Sequence, residues 1–169
     1  MIRILAKPVV EALESKTRAR VAAIQGKLGR PPKLSVVLVG EDPASVIYTR
    51  RKGVAAVATG MAHETISMPP TSTPAEVKAV IDRLNADPTV DGILIQRPLP
   101  KGFKEEEVLY WVSREKDVDA FHPENAGRLF LGLPCFKPCT PAGVMELLKH
   151  YRIEARGKVA CVVGRSSIV

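Results

Sequence analysis

Short β-branched runs alternate with helix-length segments along most of this chain, and that alternation leaves few folds open. Leu34-Ser-Val-Val-Leu-Val-Gly40, Ala62 to Met68 and Thr89 to Gln96 read as strands. The segments around them carry helix signals. Pro8 to Leu28 places Val9, Val10, Leu13, Val21, Ile24 and Leu28 on a helical period, with Pro8 in the first turn and Gly29 after the last. Asp42-Pro43 supplies an N-cap and first residue for a helix running to about Thr59 and closed by Gly60. Thr73-Pro-Ala-Glu76 is a capping-box pattern. Glu105 to Ser113 reads as a short helix, the stretch after it as irregular, and Thr140-Pro141 opens a helix to about His150. The order βαβαβα predicts an α/β fold with an open parallel sheet covered by helices on both sides.

The last twelve residues start that pattern again. Val159 to Val163 is apolar throughout, as a strand buried on both faces is, and runs into a Gly164-Arg-Ser166 turn. Such a turn ordinarily leads to a helix whose first N–H groups hold an anion. The expectation is one complete domain followed by the first strand of another.

Composition narrows the function class. Hydrophobic residues make up 46% of the 169, enough for a core, and no apolar run approaches the roughly 18 residues of a membrane helix. The N-terminal apolar stretch is too short for a secretory signal, and Cys135, Cys139 and Cys161 lack zinc-ligand spacing, so a cytoplasmic protein with reduced thiols is expected. The net charge of +7 raises the question of nucleic acid. Its basic residues are scattered, however, and no aromatic is interleaved with them as a stacking platform. A polyanionic small molecule accounts for the same excess.

In such sheets ligands bind beyond the carboxyl ends of the strands, which directs attention to Gly40 to Lys52 and Gln96 to Pro100. Ser45, Tyr48 and Lys52 follow at i, i+3 and i+7 and so share a helix face. A ring there can stack on a flat heterocycle while the lysine moves a proton, but the spacing equally fits an ordinary surface pair. Gln96 closes an apolar strand ahead of two prolines. It is either a satisfied edge glutamine or the partner that orients the lysine. Asp117 and Asp119 can cap turns, or one can bind an amino-substituted ring. No further carboxylates join them, so no metal is expected.

Six segments taken together resemble the methylenetetrahydrofolate dehydrogenase/methenyltetrahydrofolate cyclohydrolase family, the bifunctional FolD proteins. They are Val39-Gly-Glu-Asp-Pro-Ala-Ser-Val-Ile-Tyr-Thr-Arg-Arg-Lys52, Asp91-Gly-Ile-Leu-Ile-Gln-Arg-Pro-Leu-Pro100, Lys116-Asp-Val-Asp-Ala-Phe-His-Pro123, Asn125-Ala-Gly-Arg-Leu129, Pro138-Cys-Thr-Pro-Ala-Gly143 and Val163-Gly-Arg-Ser-Ser-Ile-Val169. The resemblance implies an open parallel-sheet, folate-binding catalytic domain over 1–139 and a crossover helix and linker over 140–157. Residues 158–169 would be the first strand and turn of an incomplete Rossmann-type NADP-binding domain. Lys52 would be the general acid/base, Tyr48 the ring packed against the folate, and Gln96 the tuner of Lys52. Asp119 would accept hydrogen bonds from the pterin amino group and Ser45 would support the Tyr/Lys face. Pro98, Leu99 and Pro100 would shape the pocket wall. Gly164, Arg165 and Ser166 would begin the NADP loop.

The implied chemistry is oxidation of 5,10-methylenetetrahydrofolate with NADP, then hydrolysis to 10-formyltetrahydrofolate, in an enzyme that is a homodimer at full length. This chain is expected to lack competent NADP binding and hence the dehydrogenase step; a non-catalytic folate-binding or interaction module is the alternative. Three departures from the family's pattern stand out. Ala120 replaces a usual Gly, Arg97 replaces a usual apolar residue and is expected to face solvent, and the segment near Lys7 lacks the common Asp-Gly-Lys.

Overall fold

The strand Lys33–Val39 (β1) pairs on both sides, in parallel, and the rest of the domain is arranged around it. The computed structural model describes residues 3–164. In chain order its elements are α1 (Ala6–Leu28), β1, α2 (Pro43–Ala58), β2 (Ala62–Met68), α3 (Pro74–Ala86), β3 (Gly92–Ile95), α4 (Glu105–Val108), α5 (Pro123–Phe130) and α6 (Cys139–His150). The strand order is β2-β1-β3, with Val37 opposite both Ile66 and Ile95.

This order decides where the helices go. The chain steps from β1 to β2 in one direction, then crosses back over β1 to reach β3. Two right-handed crossovers in opposite directions put their helices on opposite faces of the sheet. Val37 and Val39 accordingly pack with Val77, Ile81 and Leu84 of α3. Leu34 and Leu94 instead face α1 and α2, sharing a cavity with Val10, Leu13, Ala55 and Ala56. Covered twice over, β1 is buried continuously from Ser35 to Val39 and is apolar there at every position but Ser35, whereas edge strand β2 has only exposed and half-buried positions.

Local signals end the helices where expected. The Asp42 carboxylate accepts the Ser45 N–H at 2.8 Å, and Pro43 occupies the first turn of α2. The capping box at α3 is complete: Thr73 Oγ1 accepts the Glu76 N–H and Glu76 Oε2 accepts the Thr73 N–H at 2.7 Å.

Four expectations need correction. Strand β3 covers Gly92–Ile95 rather than Thr89 to Gln96, because Asp87 Oδ1 takes both the N–H and hydroxyl of Thr89 into a turn. The helix opening at Glu105 stops at Val108 and gives way to turns. The supposedly irregular stretch holds α5, whose N-terminus is capped by the His122 ring nitrogen accepting the Glu124 N–H at 3.1 Å. Val159 to Val163 is not a strand. Its Val159, Val162 and Val163 side chains are exposed, and among the described residues no neighbouring strand offers a ladder. A β-branched run alone does not supply the hydrogen bonds that make a strand. Arg165 and Ser166 lie outside the described residues.

Close approach explains one glycine. A Cβ on Gly92 would lie 2.6 Å from Val118 Cγ1, so β3 and the segment beside it meet only because position 92 has no side chain. Gly92→Ala should destabilise the fold by about 1–3 kcal/mol, read as a lowered urea midpoint at unchanged slope. An unaltered midpoint would show that Val118 yields freely.

Candidate active site

The carboxyl ends of β1 and β3 deliver α2 and Gln96 to one place. Along α2 the buried stripe is Ser45, Thr49, Gly53 and Ala56. Lys52 sits at the edge of that stripe, half-buried, with its stem against apolar residues and its ammonium reaching the strand exit. Its Nζ donates to Gln96 Oε1 at 3.0 Å, and Gln96 Nε2 donates to Arg97 O at 2.6 Å. Only this orientation of the amide gives both the lysine donor and the carbonyl acceptor a partner. Gln96 also keeps its backbone in the sheet, donating N–H to Val37 O at 2.8 Å. The glutamine is thus oriented at both ends.

Ser45 Oγ contacts the same Arg97 carbonyl at 3.4 Å, a long hydrogen bond. Tyr48, one turn before Lys52, is 60% exposed and forms no part of the cavity lining. Leu99 packs toward the α3-side core, Pro98 is exposed, and the Pro100 ring lies near Gly40. These residues flank the strand exit rather than line the Lys52 cavity. Gly164 makes no comparable contact.

That cavity has a volume of about 420 Å³, within the range of small-molecule sites. Its walls are largely apolar, from Val10, Leu13, Leu34, Met61 and Leu94; Lys52, Asp119 and Cys139 form one polar end, and Glu14, Thr17 and Thr59 also line it. Burial holds the Lys52 amine below its ordinary pKa, and the Asp119 charge opposes that shift. Burial likewise pushes the Cys139 thiol up to about 11, with Asp119 adding to the effect. Cys139 is therefore a neutral thiol at physiological pH, although as a residue it is exposed. Its sulfur lies 3.7 Å from Val118 O.

Asp119 is held by a polar scaffold behind it. The Lys116 ammonium donates to Leu84 O, Asn85 O and Asp87 O at the carboxyl end of α3. Ile93 N–H donates to Lys116 O at 2.7 Å, fastening the segment beside β3. Asp117 is buried and caps a turn: its Oδ2 accepts the His122 N–H at 2.8 Å and Asn125 Nδ2 at 2.9 Å. Of the two aspartates, Asp117 is structural and Asp119 faces the cavity.

Arg97 overturns the expectation that it faces solvent. Its guanidinium lies 5.3 Å from the Phe121 ring centroid and donates to Glu105 Oε2 at 2.8 Å, leaving the side chain 20% exposed. Sequence reasoning missed this and also missed Cys139 as part of the site. The signal for Cys139 was present in the Pro138-Cys-Thr-Pro141 motif, which was read only as a crossover. Among the described residues no group of three or more His, Cys, Asp or Glu side chains converges as a metal site, and no helix is long and apolar enough to cross a membrane.

Comparison with known proteins then decides the family. The profile of the tetrahydrofolate dehydrogenase/cyclohydrolase catalytic domain matches residues 4–119. The chain belongs to that family. Residues 138–169 match the family's NAD(P)-binding domain, so part of a second domain is present as well. A bifunctional protein FolD from Nitratidesulfovibrio vulgaris strain DP4 is 48% identical over 163 residues, 96% of this chain and 57% of its own length. The crystal structure of FolD from Campylobacter jejuni superimposes with a TM-score of 0.93 at 39% identity, covering 97% of this chain and 58% of that one. Trypanosoma brucei FolD, solved with NADP and an inhibitor, gives a TM-score of 0.87 at 30% identity, covering 92% and 54%. The chain thus spans little more than half the length of these relatives.

The depressed Lys52 pKa has a consequence for the stability of this family member. Below the folded pKa the ammonium is present in both folded and unfolded chains, and its full burial penalty applies. The penalty is relieved as pH rises from the folded pKa toward the ordinary 10.5. The wild-type chain should therefore gain stability relative to Lys52→Met over that interval, in urea denaturation at a series of pH values. A difference that stays flat, or moves the other way, would mean that the amine is not desolvated.

Proposed function

We propose that this chain carries the folate-binding and proton-transfer part of a methylenetetrahydrofolate dehydrogenase/cyclohydrolase, with Lys52 as its general acid/base. The supporting observation is the half-buried Lys52 amine, anchored on Gln96 at 3.0 Å, at the polar end of a cavity shared with Asp119. Burial lowers the cost of the neutral amine that a base requires. In the hydrolytic step water attacks the methenyl carbon of 5,10-methenyltetrahydrofolate. A C–O bond forms, and Lys52 accepts the proton that the water loses. Cleavage of the bond from that carbon to N5 then opens the ring. Lys52 returns a proton to N5 while the hydroxyl on the carbon loses its own proton to solvent as the C=O forms, giving 10-formyltetrahydrofolate and one net proton. Gln96 keeps the amine aimed through both transfers.

Asp119 would accept hydrogen bonds from the pterin amino group, and its negative charge would favour the cationic methenyl substrate. Tyr48, exposed beside the lysine, would cover the ring once it is bound. Ser45 would brace the carbonyl on which Gln96 rests, and Pro98, Leu99 and Pro100 would keep the strand exit rigid.

NADP would accept hydride in the family's other reaction. Gly164, Arg165 and Ser166 remain candidates for its loop. Among the described residues, 152–164 form no strand–turn–helix unit of the kind that seats a dinucleotide. The hydrolytic step needs no nucleotide.

Purified chain should hydrolyse methenyltetrahydrofolate, followed by loss of its absorbance. Lys52→Met should lower that turnover by about 10²-fold or more with an unchanged circular dichroism spectrum. Equal turnover would remove Lys52 from this role. Saturable binding of a folate analogue by calorimetry without any turnover would favour the non-catalytic binding module.

A further inference from the structure

Ala120 and Arg97 are linked through one ring, Phe121, which follows the first in the chain and lies against the guanidinium of the second. The φ of Ala120, 57°, lies in the left-handed region that an L side chain seldom adopts. Ala120 is also buried at 3% exposure, between the cavity-facing Asp119 and Phe121. A strained residue persists only where its neighbours over-determine it. On one side the holding contacts are Ala120 N–H to Asp117 O at 3.2 Å and His122 N–H to Asp117 Oδ2 at 2.8 Å. On the other side the contact is Arg97, which lies over Phe121 and is itself tied to Glu105.

We infer that Arg97, braced by Glu105, is a positioning residue: by clamping Phe121 it holds the strained turn at Ala120 and so keeps Asp119 facing Lys52 and Cys139. The guanidinium lies outside the Lys52 cavity and forms no part of its lining. It acts through Phe121 and the backbone. Glu105 neutralises it and fixes its plane over the ring, which a lysine ammonium would not do. The same residue's carbonyl receives Gln96 Nε2, so one residue orients both partners of Lys52: Gln96 through its backbone and Asp119 through its side chain. The benefit to catalysis rests on the function proposed above. The clamp itself does not.

Cys139 provides a reporter that needs no turnover. The charged groups acting on it are Asp119, Lys52 and Asp117, with Glu14 of α1 lining the same cavity, and Asp119 is the largest cause, after burial, of its thiol pKa of about 11. In a background with Cys135 and Cys161 changed to Ser, the rate of alkylation by an uncharged reagent is followed against pH. Asp119→Asn should move the midpoint down, and Arg97→Leu should move it in the same direction. Combining the two should add nothing further. Glu105→Gln, at an exposed position, should give a smaller shift, and Arg97→Lys should recover only part of the wild-type midpoint. In the hydrolysis assay Arg97→Leu should lower kcat by about 3–10-fold, with no further loss in Asp119→Asn.

If Asp119→Asn moves the thiol midpoint while Arg97→Leu and Glu105→Gln, both folded by circular dichroism, leave it in place, the clamp is refuted. If Asp119→Asn itself moves nothing, the juxtaposition of Asp119 and Cys139 is refuted and the clamp with it. Absence of turnover in the wild-type chain bears on the proposed function alone, and the alkylation profile still decides the clamp.

Discussion

Parallel pairing of β1 on both of its edges is the constraint from which the geometry of this domain follows. A strand with neighbours on either side, all running one way, can be linked only by crossovers, and their shared handedness sends α2 to one face and α3 to the other. Every strand then ends at the same edge of the sheet. Lys52, on the helix that follows β1, and Gln96, at the exit of β3, come from positions 44 residues apart. They meet because their two strands are adjacent and in register, with Val37 beside Ile95.

The two edges of the sheet handle charge differently. At the amino edge Asp91 accepts both guanidinium nitrogens of Arg30, at 2.6 and 3.0 Å, and the Lys33 N–H at 2.7 Å. That carboxylate is fully engaged and joins the starts of β1 and β3, with its pKa lowered chiefly by Arg30. At the carboxyl edge Lys116 is consumed in the same way by three carbonyls of the α3 terminus, and Asp117 by His122 and Asn125. What remains facing the cavity is Lys52, Asp119 and a neutral thiol, together with Glu14 of α1, which is paired with Arg18 at 3.8 Å. The Lys52 amine accordingly sits between two opposed influences, burial that lowers its pKa and the Asp119 charge that raises it.

Much of this was readable beforehand, and the limits have physical causes. The β1 run, the Asp42-Pro43 cap and the Thr73/Glu76 capping box depend on contacts within a few residues, so the sequence carries them directly. Strand β2 was predicted to the residue because its flanking Gly60 and Pro69 leave little choice. Helix α5 was missed because its N-cap is a histidine ring, which no common capping pattern includes. Val159 to Val163 has strand composition but gains a ladder only from a partner strand, a nonlocal condition. The Lys52–Gln96 bond was anticipated through resemblance, since spacing alone did not separate it from a surface pair. Arg97 was misjudged because an arginine after a strand is ordinarily solvated. Its fate turned on Phe121 and Glu105, 24 and eight residues further along.

Arg97 and Ala120 are better read as a pair than singly. An alanine at a φ of 57° raises the energy of the turn that carries Asp119, on the order of 1 kcal/mol. An apolar side chain at position 97 would offer Phe121 dispersion contact but no directional hold. A guanidinium contributes about 0.5–1 kcal/mol against an aromatic face at a partly exposed site, and its carboxylate partner restrains where it lies. The two magnitudes are comparable, so the contact can offset the strain. Displacing Asp119 would leave burial acting on Lys52 without its principal opposing charge, lowering the amine's pKa further. A residue that touches neither the cavity nor its ligand would in that way set the protonation balance of the group at its centre.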